Sequence, residues 1–118
     1  MVEDNRDLAQ TTMAILRAEG YDCTACYTGT EALACVQRYD PDVVLLDIRL
    51  PGKSGWELAV EIREHFPGRR PMLVGISGEY QKSADRLLAQ MRGFDFYLAK
   101  PVDPKVLLTL LKKVRDPG

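Results

Sequence analysis

The stretch VVLLDIRLPG, residues 43–52, decides the fold class of this chain. Its apolar residues 43–46 form a run typical of a strand that is buried on both faces of a parallel sheet. Asp47 follows this run directly. An aspartate is seldom buried unless it is paired, liganded or reactive. The stretch therefore predicts a buried strand with a functional carboxylate at its carboxyl end.

Other polar residues stand at similar positions in the sequence. Ser77 and Lys100 each follow a further apolar run, and Glu3 and Asp4 open the chain just before a predicted helix. The carboxyl ends of parallel strands lie at one edge of a sheet, where open α/β folds bind their ligands. We therefore expect these four side chains to converge with Asp47.

Strand and helix patterns alternate along the chain. Capping-box spacing begins helices after Thr28 and Ser54, and Gly20 ends the first helix. The predicted strands are 22–27, 43–46, 71–76 and 95–99; the predicted helices are 6–19, 29–38, 55–65, about 80–92, and a last one that begins at Asp103-Pro104. This alternation indicates an α/β fold with a parallel sheet covered on both faces.

Length and composition limit the classes of function. The 118 residues are 46% hydrophobic and 28% charged, which indicates one globular domain over 1–118. A net charge of −1 argues against direct nucleic acid binding. No apolar run approaches the roughly 20 residues of a membrane span, and no signal peptide is evident. We expect a cytoplasmic protein that does not bind membranes.

The three cysteines allow more than one interpretation. Cys23 and Cys26 have the C-x-x-C spacing of redox and zinc motifs. Zinc requires further ligands, however, and the single histidine, His65, lies in a distant predicted helix. A strand at 22–27 would direct Cys23 and Cys26 to opposite faces. With Cys35, we expect them to be ordinary reduced thiols.

Taken together, these residues resemble the receiver domain of two-component response regulators over essentially the whole chain. Any one of the motifs is weak, whereas their order with the expected secondary structure between them is specific. The matching motifs are the acidic pair Glu3-Asp4, the phospho-accepting Asp47 with its loop 50–55, Ser77, the switch aromatic Tyr97, and Lys100-Pro101.

The resemblance implies a flavodoxin-like, doubly wound fold with five parallel strands in the order 2-1-3-4-5 and five helices. One feature departs from the family pattern. Only Met1 and Val2 precede the acidic pair, so we expect the first strand, which is central in this order, to be truncated. This shortening leaves the placing of Glu3 and Asp4 open.

The resemblance also implies a chemistry. Asp47 is the phospho-acceptor, Lys100 a positive charge for one phosphoryl oxygen, and Ser77 a hydroxyl donor for another. The cofactor is Mg²⁺, a cation that prefers oxygen ligands. Its implied ligands are Asp4, Asp47, Glu3 through a water, and the backbone carbonyl of Arg49.

The implied output is a change of protein partner. Ser77 and Tyr97 form the switch pair that responds to the phosphoryl group. The partners are a histidine kinase or phosphotransfer protein and an unknown downstream protein or output domain. Such a receiver is not an enzyme in the usual sense, although it assists its own phosphorylation and dephosphorylation.

Two alternatives remain. A haloacid-dehalogenase-like phosphatase also uses a strand-end aspartate, but it requires a second aspartate two residues later, where this chain has Arg49. A non-phosphorylated pseudo-receiver that acts as a protein docking module is the stronger alternative because of the short first strand. Dependence on metal and phosphodonor distinguishes it from a working receiver.

Overall fold

The computed structural model describes residues 1–50, 52–68, 71–78 and 93–115. Within these ranges the helices are α1 (Arg6–Ala18), α2 (Gly29–Tyr39), α3 (Gly55–His65) and α4 (Pro104–Arg115), and the strands are β1 (Val43–Asp47), β2 (Met72–Ser77) and β3 (Phe96–Ala99). The helix predicted near 80–92 lies outside the described residues. None of the helices in these ranges is long and apolar enough to cross a bilayer.

The three strands form one parallel sheet in the order β1-β2-β3. Asp47 is paired with Ile76, and Ser77 with Ala99, so the strands end together at one edge. The predicted α/β fold with a parallel sheet is confirmed. Its carboxyl edge brings Asp47, Ser77 and the residue after β3, Lys100, to the same end of the sheet.

The segment ahead of the acidic pair is short, as expected, and the strand predicted at 22–27 is shorter than expected. Val2 forms single parallel bridges to Cys26 and Leu46. Its N–H donates to a β1 carbonyl at 2.7 Å, and its own carbonyl accepts the N–H of Asp47 at 3.0 Å. A ladder requires successive pairs, and the short segment ahead of the acidic pair supplies only one. The predicted strand 22–27 is therefore reduced to the Cys26 bridge.

The helices begin at the caps that the sequence predicts. The hydroxyl of Thr28 accepts the N–H of Glu31 at 3.3 Å, and that of Ser54 accepts the N–H of Glu57 at 3.2 Å. Asn5 caps α1 in the same way. Each cap satisfies an N–H group that the first helical turn leaves unpaired. The cap at Ser54 determines where α3 begins after the loop that follows β1.

Alternation along the strands produces two cores, one on each face of the sheet. Val44 and Leu46 of β1 pack toward α2 and α3, whereas Leu45 packs toward α1 and α4. The α2–α3 core also contains Ala32, Val36, Leu58, Ala59, Ile62, Leu73 and Phe94; the α1–α4 core contains Leu16, Val74, Ile76, Leu107, Leu110 and Leu111. Burial on both faces explains the continuous apolar run of β1.

The cysteines differ from the expectation of three reduced thiols. Cys26 and Cys35 are joined by a disulfide, and Cys23 is free. Cys26 belongs to the α2–α3 core and Cys23 packs against the α1–α4 core, so the two do point to opposite faces. The partner of Cys26 comes from α2, and only the folding of α2 onto the sheet brings Cys35 close.

Candidate functional site

Asp47 is the last residue of β1 and is only 5% exposed to solvent. Its Oδ2 atom lies 3.0 Å from the ammonium nitrogen of Lys100. Its Oδ1 atom accepts the backbone N–H of Arg49 at 3.1 Å. Both oxygens of the buried carboxylate therefore have hydrogen-bond donors, as burial of a charged group requires.

Lys100 also forms an ion pair with Glu3, with 2.9 Å between Nζ and Oε1. Glu3 is only 1% exposed and also accepts the backbone N–H of Asn5 at 3.2 Å. Burial alone would lower the pKa of Lys100. The hydrogen bonds and negative charges of Glu3 and Asp47 outweigh burial, so the pKa of Lys100 is raised. Lys100 therefore carries its charge at neutral pH.

Three carboxylates meet beside this lysine. Glu3, Asp4 and Asp47 each offer an oxygen, and these oxygens all lie within 4.8 Å of one another. Asp4 is exposed, unlike the other two. A hydrogen bond with Glu3, partial burial and the charge of Glu3 raise the pKa of Asp4. The cluster is therefore a set of oxygen donors that can hold a hard cation.

The start of α3 is packed directly against the backbone of Asp47. The N–H of Gly55 donates to the carbonyl of Ile48 at 2.8 Å. A Cβ atom on Gly55 would lie 2.5 Å from the carbonyl oxygen of Asp47 and 2.7 Å from Cα of Ile48. Only glycine allows this approach. Gly55 thereby sets the position of the chain that carries the carboxylate.

The two predicted switch residues lie on neighbouring strands. Ser77 is the last residue of β2 and is 5% exposed. Its backbone carbonyl accepts a hydrogen bond from the N–H of Lys100 at 3.0 Å. Tyr97 lies on β3 opposite Gly75 and is half-buried against the α2–α3 core. Ser77 is thus at the site, and Tyr97 lies in the same strand pair, two residues back from the edge.

The structure brings Glu3, Asp4, Asp47 and Lys100 together, as the sequence predicts. Arg49 lies beside them with an exposed side chain. Sequence reasoning did not anticipate that one lysine bridges two carboxylates, because it considered each position by itself. It placed Gly55 only within the loop after Asp47, assigned Trp56 only to packing, and gave no role to Gly75. A glycine inside the apolar strand 72–77 was an available signal, since such a glycine often marks a close approach.

A family model provides the decisive comparison. The model of the response regulator receiver domain matches residues 1–112 of this chain. The chain belongs to the receiver domain family of response regulators. This finding agrees with the buried aspartate, the adjacent acidic residues and the lysine at one edge of the parallel sheet.

Solved receiver domains have the same fold. A CheY-like receiver domain protein from Methanospirillum hungatei is 29% identical, with a TM-score of 0.86 over 99% of this chain and 94% of its own. The BeF3-activated N-terminal receiver domain of Klebsiella pneumoniae RstA is 30% identical, with a TM-score of 0.87 over 98% and 96%. Vibrio cholerae chemotaxis protein CheY4 is 26% identical, with a TM-score of 0.86 over 96% and 93%. This receiver domain thus has a CheY-like α/β fold.

Proposed function

We propose that this receiver domain accepts a phosphoryl group on Asp47 from the phosphohistidine of a histidine kinase or phosphotransfer protein. The observation that carries the proposal is the buried carboxylate of Asp47 beside the Lys100 ammonium and two further acidic residues. Phosphoryl transfer requires a positioned nucleophile and neutralisation of charge on the transferred group. The site contains residues suited to both tasks.

Asp47 acts as the nucleophile. One of its carboxylate oxygens attacks phosphorus in line with the breaking P–N bond, whose electron pair returns to the histidine imidazole. The product is an acyl phosphate on Asp47 and a free histidine on the donor. Asp47 lies at the end of β1. The hydrogen bond from the Arg49 N–H and the packing of Gly55 restrain its carboxylate before the donor arrives.

Lys100 neutralises charge as the transfer proceeds. Its ammonium already lies 3.0 Å from Asp47 Oδ2, so a short displacement brings it to a phosphoryl oxygen. Glu3, at 2.9 Å from the same nitrogen, restrains the lysine at the site. Ser77, at the end of β2, supplies a hydroxyl donor for a second phosphoryl oxygen.

The carboxylates suit Mg²⁺. Their oxygens lie within 4.8 Å of one another, and oxygen is the donor that this ion prefers. Asp4 and Asp47 are the proposed direct ligands, with Glu3 acting through a water and the carbonyl of Arg49 completing the protein's set. When bound, Mg²⁺ offsets negative charge on the phosphoryl oxygens.

Phosphorylation then changes a protein-interaction surface. Ser77 and Tyr97 form the switch pair, and the change is read by a downstream protein or output domain.

The wider proposal is a single receiver unit over 1–118, with five strands in the order 2-1-3-4-5 and five helices, supported by the bridges of Val2 to Cys26 and Leu46. It is a cytoplasmic phosphorelay acceptor rather than an enzyme, and it binds neither nucleic acid nor membranes directly.

The test is intact mass after incubation with a small-molecule phosphodonor, with Mg²⁺ or with a chelator. We expect wild type with Mg²⁺ to gain one phosphoryl group, and the chelated sample and Asp47→Asn to gain none. Circular dichroism establishes that both proteins are folded. A folded wild type that gains no adduct would contradict the proposal and favour a pseudo-receiver that serves as a docking module.

A further inference from the structure

Tyr97 belongs to a cluster of three aromatic rings. The indole of Trp56 is stacked on the Tyr97 ring, with 6.1 Å between centroids and 23° between planes. Phe94 meets both rings edge-on, at 5.6 Å from Trp56 and 6.4 Å from Tyr97. Such geometries stabilise aromatic pairs beyond simple burial. The position of Tyr97 is therefore coupled to that of Trp56.

Gly75 provides the space for this cluster. A Cβ atom at Gly75 would lie 3.0 Å from Phe94 Cε1 and 3.2 Å from Tyr97 Cδ2. Gly75 is also the register partner of Tyr97 across the β2–β3 pair. The lack of a side chain there allows the two rings to lie against the sheet, where the indole can cover them.

Trp56 is the neighbour in sequence of Gly55, the residue that packs against the backbone of Asp47. The N–H of Gly55 donates to the carbonyl of Ile48, and a Cβ atom on Gly55 would lie 2.5 Å from the Asp47 carbonyl oxygen. The backbone of Trp56 is therefore anchored next to Asp47, and its ring contacts Tyr97. A displacement of the chain at Asp47 or of the Tyr97 ring changes the geometry of the same stack.

We propose that Trp56 is a positioning residue of the switch. Its indole holds the Tyr97 ring in the stacked arrangement, and phosphorylation of Asp47 changes the geometry of this stack. This inference rests on the proposed function and extends it to α3. Trp56 acts through Tyr97 and does not contact the transferred group.

The single tryptophan allows a direct test, because all indole fluorescence comes from Trp56. Beryllofluoride with Mg²⁺ serves as the stable phosphoryl mimic. We expect it to change the emission of wild type, and the change to be at least halved in Tyr97→Leu. Tyr97→Phe, which retains the ring, and Tyr39→Leu, at an exposed tyrosine of α2, should retain it.

The outcomes separate this inference from the proposed function. Intact mass with a phosphodonor is measured on the same proteins. Wild type that gains the phosphoryl group but shows no change of emission overturns the inference and leaves the function intact. A change that persists fully in Tyr97→Leu also overturns it, since the indole would then sense the site without Tyr97. A folded wild type without adduct overturns both.

A second measurement does not depend on the folding of Tyr97→Leu. Fluorotyrosine is incorporated throughout, and the ¹⁹F signal of Tyr97 is identified by its absence in Tyr97→Phe. We expect the beryllofluoride concentration at half-maximal shift of this signal to change roughly two- to tenfold in Trp56→Leu, as loss of an aromatic pair implies. Trp56→Phe should restore it to within about twofold of wild type. An unchanged midpoint in Trp56→Leu overturns the inference.

Discussion

Lys100 is a single ammonium group that serves two buried carboxylates. It lies 2.9 Å from Glu3 and 3.0 Å from Asp47, and these residues are 1% and 5% exposed. A carboxylate that loses its partner inside a protein retains the cost of its desolvation. The charge balance at this end of the sheet therefore depends on Lys100.

We expect Lys100→Met to lower the free energy of unfolding at neutral pH by about 1–3 kcal/mol, because two buried carboxylates lose their cation. Adduct formation should slow on the order of a hundredfold, through loss of charge stabilisation. Chemical denaturation and intact mass measure the two effects. Lys105→Met, at an exposed lysine, should change neither.

The pH dependence of the Lys100 effect follows from its raised pKa. The folded state holds this proton more tightly than the unfolded state, so the stabilisation is fully present below the ordinary value of 10.5. It is lost as the pH rises through the higher folded-state pKa. From neutral pH upward, denaturation curves of wild type and Lys100→Met should therefore converge only in strongly alkaline solution.

The charged form of Asp4, unlike that of Lys100, destabilises the folded state, although the pKa of both groups is raised. Its raised pKa means that the folded state binds the proton more tightly, so stability falls as the pH rises from 3.8 through the folded-state value. We expect Asp4→Asn to be slightly more stable than wild type at neutral pH in chelator, since repulsion by Glu3 is removed. The measurement is thermal unfolding over a pH series.

Mg²⁺ should make wild type more stable than Asp4→Asn, the reverse of the order expected in chelator. At about 100 times its dissociation constant, an ion that binds only the folded state stabilises it by about 2.7 kcal/mol. Wild type should gain this stabilisation at neutral pH and lose it in acid as Asp4 becomes protonated. Asp4→Asn should gain far less, and Asp22→Asn, at another exposed acid, should behave as wild type. Equal stabilisation of Asp4→Asn would contradict the assignment of Asp4 as a ligand.

At the level of elements, the contact between α3 and the end of β1 positions Asp47, the proposed phospho-acceptor. A Cβ atom at Gly55 would meet backbone atoms of Asp47 and Ile48 at 2.5 and 2.7 Å, so α3 or β1 must move. We expect Gly55→Ala to cost about 1–3 kcal/mol, as overpacking does, and to slow adduct formation on Asp47. Gly68→Ala is the matched control, because nothing lies within 4 Å of its Cβ position.

At the scale of the whole molecule, Asp95 connects α3, β2 and the segment before β3 through polar contacts. The Asp95 carboxylate accepts the N–H of Leu73 at 2.8 Å and binds Arg63 of α3 at 2.6 Å. Asp95 precedes β3, whereas Asp47 and Lys100 lie at the opposite, carboxyl end of the strands. This contact therefore supports the association of α3, β2 and β3 at the end of the sheet away from Asp47.

We expect Asp95→Ala to lower the free energy of unfolding by about 1–3 kcal/mol, because the N–H of buried Leu73 loses its acceptor. Asp95→Asn keeps an acceptor oxygen and should lose less. Both variants should still form the adduct on Asp47 under conditions where they are folded. A loss of phosphorylation in folded Asp95→Asn would show that this contact also influences the site.

Much of this arrangement could be predicted from local sequence because its causes are local. The apolar run before Asp47 reflects burial on both faces of β1, and the caps at Thr28 and Ser54 act within a single helical turn. The convergence of Asp47, Ser77 and Lys100 follows from parallel pairing, which brings the ends of the strands to one edge. Such features depend on residue type and short spacing.

The sequence by itself therefore determined the parallel α/β fold and the group of polar residues at its carboxyl edge. Only the tertiary structure decided which of them touch: that Lys100 bridges Glu3 and Asp47, that Cys26 is paired with Cys35, and that Trp56 stacks on Tyr97. These partners come from separate elements, and their contact depends on how each helix packs on the sheet. Periodicity and capping act over a few residues and carry no information about that packing.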